Sequence, residues 1–429
     1  MTEIAEILRD GSLPAAELTA RLGVSPATLM RRLREAGSAV VRIGRSHAVR
    51  YGLRRESAAL GASEVPLFRV DEDGQPSPVG RLVFLSGAET AWLPGGVVFD
   101  GLPPEIADMR PSGFMGRAFA MRFPELPVPN RVDDWSDEHT ITGIARRGED
   151  LPGNMIVGDE SLQRWYDNPP VASRRDDYPA LADAATAGDV RGSSAGGERP
   201  KFGAYVDGRH VMVKYAGAGG QVAQRWQDLL AMEAIALDVL REAGHQASSA
   251  QLIDGPTHRF LEVERFDRVG ERGRIAVMTL AAVHARATDD WAQAARQMQE
   301  ESILSAQNAR RLQLYESFGR LIANTDRHHY NIALFPQHAG EGEETSISAR
   351  RFVLAPAFDQ LPMLYAPASD GQLPQREFTR PAPSADTWDV WDEAVSLASQ
   401  FWERAGGEPM ISGDMRSVAH SNGRIIADG

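Results

Sequence analysis

The chain has 429 residues, 42% hydrophobic and 24% charged, with a net charge of -13. A chain of this length buries a large core and is expected to form roughly two to four domains. The lack of cysteine excludes disulfides and thiolate metal sites, no apolar run suggests a membrane span, and the N-terminus MTEIAEILRDGS lacks the order of a signal peptide, so a cytoplasmic protein is expected.

The charge is uneven. Residues 1–60 carry ten arginines against six acids, whereas the remainder is acidic, at -17. A basic head before an acidic body points to nucleic acid for the head alone. Nearly every basic residue is arginine, 44 of them, against two lysines, Lys201 and Lys214. Lysine that persists in such a composition suggests a place where a compact ammonium cannot be exchanged for a planar guanidinium, as at phosphate sites; chance survival is the plain alternative.

In the head, Ile4, Ile7 and Leu8 begin a helical stripe that stops at Asp10-Gly11. A second helix is expected from Pro14 to Leu22, ended by Gly23, and a third from Ser25-Pro26 to Ala36-Gly37, with Leu29, Met30 and Leu33 inward and Arg31, Arg32 and Arg34 outward. Two alternating strands around Gly44-Arg45-Ser46 then read as a wing. This is a winged helix-turn-helix pattern. Thr28, Arg31 and Arg32 are the expected groove contacts, with Arg45 and His47 against the DNA backbone. A protein-docking domain with a solvated arginine face is the alternative.

From Pro66 to about Arg147 the sequence is β-rich and then irregular, without a chemical motif, and residues 167–191 read as a connector. The stretch GSSAGGERPKFGAYVDGRHVMVKYAG comes next. Its Gly192, Ser193, Ser194, Gly196 and Gly197 form a loop whose amides can wrap an anion near Lys201, and two strands around Asp207-Gly208 end in Lys214. That is the order of a kinase N-lobe, although Gly/Ser stretches are more often linkers. The next helix carries Trp226, Leu229, Leu230, Leu237 and Leu240 on one stripe with Glu233 among them, and Lys214 is the expected partner of that carboxylate.

The sharpest motif is LIANTDRHHYNIALF at 321–335. Asp326 followed by Asn331 has the spacing of a kinase catalytic loop, in which Asp accepts the substrate hydroxyl proton and Asn holds Mg²⁺; Asp359, after the next apolar run, is the second metal carboxylate. ATP and Mg²⁺ are the implied cofactors. His328 and His329 lack a third ligand for zinc, and one of them is expected to brace the loop.

NTDRHHYNIAL and FDQL, together with SSAGGERPK, VMVKY and FLEVERFDR, resemble the HipA family of bacterial serine/threonine kinases, and DMRPSGFMGR resembles that family's N-terminal subdomain. The resemblance implies an α+β, bilobal protein-kinase-like fold that phosphorylates proteins, aminoacyl-tRNA synthetases in studied members, and is opposed by a DNA-binding antitoxin. It also implies autophosphorylation of a loop serine, Ser193 or Ser194. In those terms Asp326 is the base, Asn331 and Asp359 hold Mg²⁺, and Ser194, Gly196, Gly197, Lys201, Lys214, Glu233, Glu264 and Phe266 bind ATP, with 262–266 as the adenine-side hinge. The chain departs from the usual operon by carrying its own helix-turn-helix, which resembles a fused, self-regulating branch.

The expected division is a winged helix-turn-helix at 1–58, a β-rich subdomain at 59–150, a kinase N-lobe at 151–266 and a mostly helical C-lobe at 267–429. A homodimer would suit a palindromic operator, and DNA binding would place the protein at the nucleoid. Two alternatives stand beside the DNA-tethered kinase: a transcription regulator whose kinase fold only senses nucleotide or partner, and a small-molecule kinase.

Overall fold

In the computed structural model, residues 3–45, 49–187, 200–284, 286–337, 351–368 and 370–428 are described. Helices α1 (Glu3–Ile7), α2 (Ala15–Leu22) and α3 (Pro26–Ala36) enclose Ile4, Leu8, Leu18, Leu22, Leu29 and Leu33. Their ends are set by local chemistry. Gly23, at φ 61, terminates α2, while the Ser25 side chain accepts from Thr28 N and Pro26 occupies the first turn of α3. Strands β1 (Leu13–Pro14), β2 (Val40–Ile43) and β3 (Arg50–Leu53) pair in the order β1-β3-β2.

This head is welded to the middle subdomain. Val41 and Ile43 share a buried cluster with its Val83, Leu85 and Ala91. The approach is close: a Cβ on Gly52 would lie 2.9 Å from Leu85 Cδ1. Arg54 pairs with Glu64 at 2.7 Å, Arg55 pairs with Glu138, and Ser12 N donates to Glu89 at 2.7 Å.

The middle subdomain contains β4 (Glu64–Val70), β5 (Pro76–Phe84), β6 (Glu89–Leu93), β7 (Val97–Asp100), α4 (Pro104–Ala107), α5 (Gly113–Arg122), α6 (Asp137–Arg147), β8 (Met155–Val157) and α7 (Asp159–Asp167). Its sheet runs β7-β6-β5-β4-β8, and Ile141 and Ile144 of α6 pack on Leu67, Leu82, Phe84 and Trp92. Because β8 pairs with β4 and Trp165 of α7 packs on Val70 and Ile156, the stretch 155–167 belongs here and not with the N-lobe, so the boundary expected at residue 150 falls too early. Three apolar residues in a row carry no period that would have revealed β8.

The next sheet, order β11-β12-β10-β9, comprises β9 (Lys201–Val206), β10 (Arg209–Gly217), β11 (Ala250–Asp254) and β12 (His258–Glu264). Asp207 (φ 51) and Gly208 (φ 77) make the tight β9-β10 turn. The expected connector is in fact structural: α8 (Tyr178–Ala187) buries Tyr178 and Ala182 against Phe202, Val213 and Phe260 on the back of this sheet. The long α9 (Gly220–Glu242) covers the front.

The rest is mainly helical. After a hairpin of β13 (Arg268–Val269) and β14 (Gly273–Arg274) come β15 (Met278–Thr279), α10 (Leu280–Val283), α11 (Trp291–Glu300), α12 (Ala306–Leu321), β16 (Ala333–Gln337), β17 (Arg351–Leu354), α13 (Trp391–Gly407) and α14 (Gly413–Ala427). Leu229, Met232 and Val239 of α9 join the cluster of Trp291, Leu312, Phe318, Phe401 and Trp402, so the front helix is rooted in the C-terminal core. The middle subdomain meets the end of β12 through a separate ion cluster in which the side chains of Arg265, Asp267 and Arg268 are largely buried and Asp150 is exposed. Among the described residues no helix is long and apolar enough to cross a membrane.

Candidate active site

Side chains alternate along β10, so Val213 and Tyr215 face α8 while Lys214 faces α9. Lys214 Nζ lies 2.5 Å from Glu233 Oε1 and also contacts Asp359 Oδ1. Lys214 and Glu233 are 6% and 1% exposed, a setting in which an unpaired charge would be strongly unfavourable. The structure therefore brings Lys214, Glu233 and Asp359 together. Lys201 is the cross-strand partner of Lys214, so both lysines of the chain project from one face of the β9-β10 ladder. Like charges placed opposite repel, and the two carboxylates that meet Lys214 offset that repulsion.

The second half of the site is built at the end of α12. Asn324, fully buried, accepts from Asp326 N at 3.0 Å through Oδ1 and donates from Nδ2 to Asp359 O at 3.3 Å, tying the two carboxylate segments together. Arg327 turns inward across Gly319, where a Cβ would lie 2.7 Å from its Cδ, and donates to the buried Glu316 at 3.1 Å. Burial pushes the Glu316 carboxyl up, with Arg327 opposing the shift. Asn331 Nδ2 donates to Asp326 O at 2.8 Å, so of its two side-chain polar atoms the oxygen is the one that could meet a cation. Asp326 itself is 49% exposed, with His328 Nε2 3.6 Å from its carboxylate. Asp359 has φ 54, a left-handed conformation that Asp tolerates better than branched residues do.

The loop is braced from below. His329 Nε2 donates to Asp289 O at 2.8 Å, Trp291 Nε1 donates to His328 O at 3.2 Å, and Asp289 Oδ2 lies 2.9 Å from His284 Nε2. Burial pushes the His329 ring below its ordinary value, which keeps it neutral at physiological pH. Of the adjacent histidines, His329 is therefore the brace. Among the described residues no group of three or more His, Asp or Glu is arranged to hold a metal. Asn331 and Asp359 offer two hard oxygens, a donor set that suits Mg²⁺, which keeps water and phosphate ligands, and does not suit zinc.

Glu264 requires correction. It projects with Glu262 to the face opposite Lys214, where Arg209 binds Glu264 at 3.2 Å and Arg175 and Tyr178 bind Glu262 at 2.9 and 2.7 Å. The two-residue period of β12 decides this, so neither carboxylate belongs to the cleft. Phe266 stands against Phe335 and Phe358, the residue before Asp359, with ring centroids 5.7 Å apart in both contacts. Ser193, Ser194, Gly196 and Gly197 lie outside the described residues, as does His47. In the head, Thr28 supports the Ser25 cap, Arg31 pairs with Glu35 at 2.8 Å, Arg32 pairs with Glu3 at 2.6 Å, and Arg45 is exposed.

Sequence reasoning passed over Asn324, Glu316, Arg327 and Asp289. Glu316 had a readable signal, a carboxylate within the apolar stretch Leu312, Leu314, Tyr315 and Phe318, the same signal that exposed Glu233. Asn324 had none, because its role depends on a contact with a segment 35 residues away.

Residues 193–407 match the HipA-like C-terminal domain, and residues 61–166 match the middle domain of YjjJ-like toxins. The toxin YjjJ of Escherichia coli (strain K12) is 33% identical over 444 residues, covering 98% of this chain and 96% of that protein. A HipA of Shewanella oneidensis MR-1, solved in a toxin-antitoxin complex with HipB and operator DNA, superposes with a TM-score of 0.51 at 14% identity, covering 85% of this chain and 96% of that one. That likeness supports the bilobal α+β, kinase-like architecture.

Proposed function

The chain belongs to the HipA-like toxin family, and from that premise we propose that it is an ATP- and Mg²⁺-dependent serine/threonine protein kinase of HipA type, fused to a DNA-binding head. The observation that carries the reading is Lys214, paired with Glu233 and meeting Asp359, in a chain whose other basic residues are arginine save one. Lys214 would bind phosphate oxygens, with Glu233 setting its direction. Asn331 and Asp359 would hold Mg²⁺. ATP supplies the phosphoryl group, and Mg²⁺ offsets charge on it. Asp326, half exposed and fixed through its backbone by Asn324 and Asn331, would accept the proton of an incoming hydroxyl. Phe266 and Phe358 would flank the adenine. A protein substrate is the preferred acceptor, aminoacyl-tRNA synthetases being the class that the resemblance implies.

For the head, α3 with Thr28, Arg31 and Arg32 would enter the major groove, with Arg45 against phosphate. Exposed pairs such as Arg31 with Glu35 contribute little to stability, so phosphate can displace the carboxylate. The Shewanella oneidensis HipA was solved with HipB and operator DNA; here the head would supply DNA contact within one chain, and a homodimer would suit a palindromic operator. One observation favours a second reading, transcriptional control by a kinase fold that senses nucleotide: the buried cluster of Val41, Ile43, Val83, Leu85 and Ala91 fixes the head on the toxin body.

Intact-mass analysis after incubation with ATP and Mg²⁺, beside Asp326→Ala, tests the kinase reading. Gain of a phosphate mapping to Ser193 or Ser194, absent in the variant, is expected. An unchanged mass, together with ATP binding, would favour the sensing regulator.

A further inference from the structure

The helix that carries Glu233 is gripped from the far end of the chain. Asp228, one turn and a half before Glu233 on α9, is 1% exposed and accepts from Ser412 N at 2.9 Å, Ser412 Oγ at 2.6 Å and Gln224 Nε2 at 3.0 Å. Ser412 is also the N-cap of α14, accepting from Met415 N. Arg225, on the same helix, donates to Tyr365 O at 3.0 Å, and the Tyr365 hydroxyl accepts from Asn422 of α14 at 2.7 Å. Arg259 of β12, the strand beside β10, donates to Met410 O at 2.7 Å. At the C-terminal end of α9, Glu242 accepts from Arg404 of α13 at 2.9 Å. The HipA-like match ends at residue 407, so Met410, Ser412 and Asn422 lie beyond it.

A carboxylate this buried, with three donors aimed at it, fixes the rotation of its helix as well as its position. A turn of α9 about its axis that swung Glu233 off Lys214 would have to pull Asp228 off Ser412 and leave a buried charge without its donors. Shared packing of Leu229, Met232 and Val239 with Phe401 and Trp402 opposes the same motion.

We propose that Asp228 and Ser412 are positioning residues for the Lys214–Glu233 pair: the segment 408–428 clamps α9 in the orientation that presents Glu233 to Lys214, so the pair is set by the fold and not by a movable helix. The proposal rests on the reading of Lys214 as the phosphate-binding lysine. Control of nucleotide binding then has to act on another element than α9.

The test is a double-mutant cycle read by calorimetric titration of Mg·ATP, and separately of adenosine, into the full chain. Ser412→Gly removes the hydroxyl from Asp228 and keeps a residue that caps helices acceptably. It should weaken Mg·ATP about tenfold in the wild-type background and add nothing in a Glu233→Gln background, as expected for groups acting through one another. Adenosine affinity should be unchanged throughout. Unchanged Mg·ATP affinity in Ser412→Gly, an equal loss in both backgrounds, or an equal loss for adenosine would overturn the proposal. If Ser412→Gly fails to fold, Asp228→Asn, which keeps shape and one acceptor oxygen, takes its place in the same cycle. Wild-type protein that binds adenosine but gains nothing from the triphosphate would overturn the Lys214 reading itself, a result separable from failure of the clamp.

Discussion

Two charge clusters sit along the β10-β12 ladder, one just past its Glu264 end and one at its middle, and they are made differently. At the junction with the middle subdomain, Asp267 accepts from Arg265 at 3.0 Å, Arg268 at 2.7 Å and Gly153 N at 3.0 Å, and Arg268 continues to Asp150 at 3.0 Å and Leu151 O at 2.8 Å. In the cleft, Lys214 meets Glu233 and Asp359, while among the described residues Glu233 Oε2 is buried without a hydrogen-bond partner and Asp359 stays partly open. Arginine's planar fork saturates the first cluster and makes it a rivet. On the proposed reading, lysine's compact ammonium would let the second exchange a carboxylate for a phosphate. Burial of charge is common to both; saturation separates structure from function.

The largest expected effect breaks the rivet. Asp267→Ala leaves two buried guanidiniums short of a partner and should destabilise the chain by about 3–5 kcal/mol, measured by urea unfolding. Lys214→Arg, which keeps the charge, should instead lower phosphoryl transfer about 100-fold or more while shifting the melting temperature little, because the fork cannot replace a point charge against a phosphate. If both substitutions acted mainly on stability, the two clusters would be of one kind.

A pH series sharpens the contrast. Burial alone would raise the Asp267 carboxyl, but Arg265, Arg268 and the Gly153 amide hold it well below the ordinary carboxylate range. A carboxyl with a depressed folded-state pKa contributes stability above its unfolded value, about 3.9, and loses it as the pH falls through the folded value. The stability gap between wild type and Asp267→Asn should stay level from neutral pH to about 5 and narrow below about 4. A gap that widened on acidification would show that the pair does not hold the proton off Asp267.

The smallest effect is in the head. Arg31→Ala should weaken binding to a random-sequence duplex by about 1 kcal/mol and reduce the slope of log affinity against log salt by about one, with no change in ATP affinity. An unchanged slope would remove Arg31 from the interface.

Much of this was legible because it rests on local chemistry. Gly23 and Ser25-Pro26 declare helix ends, Asp207-Gly208 declares a hairpin, and Glu233 within an apolar stripe implies a partner that Lys214 supplies. What stayed hidden is set by contacts distant in sequence. The membership of β8 depends on pairing with β4, the burial of α8 depends on the back of a sheet, and Asn324 and Ser412 act on segments far along the chain. Glu264 was misplaced for another reason, since a motif borrowed from a resemblance names a segment while the two-residue strand period decides which of its side chains face the cleft.

The most direct test of the cleft as a triphosphate site is calorimetric titration of ATP with Mg²⁺ into the wild type and Lys214→Met. The account expects saturable binding by the wild type, weakened about tenfold or more in the variant, as for loss of a charge-assisted contact, both measured below the variant's melting temperature, which the unpaired Glu233 lowers. Equal affinity in the two proteins, or none in the wild type, would contradict it.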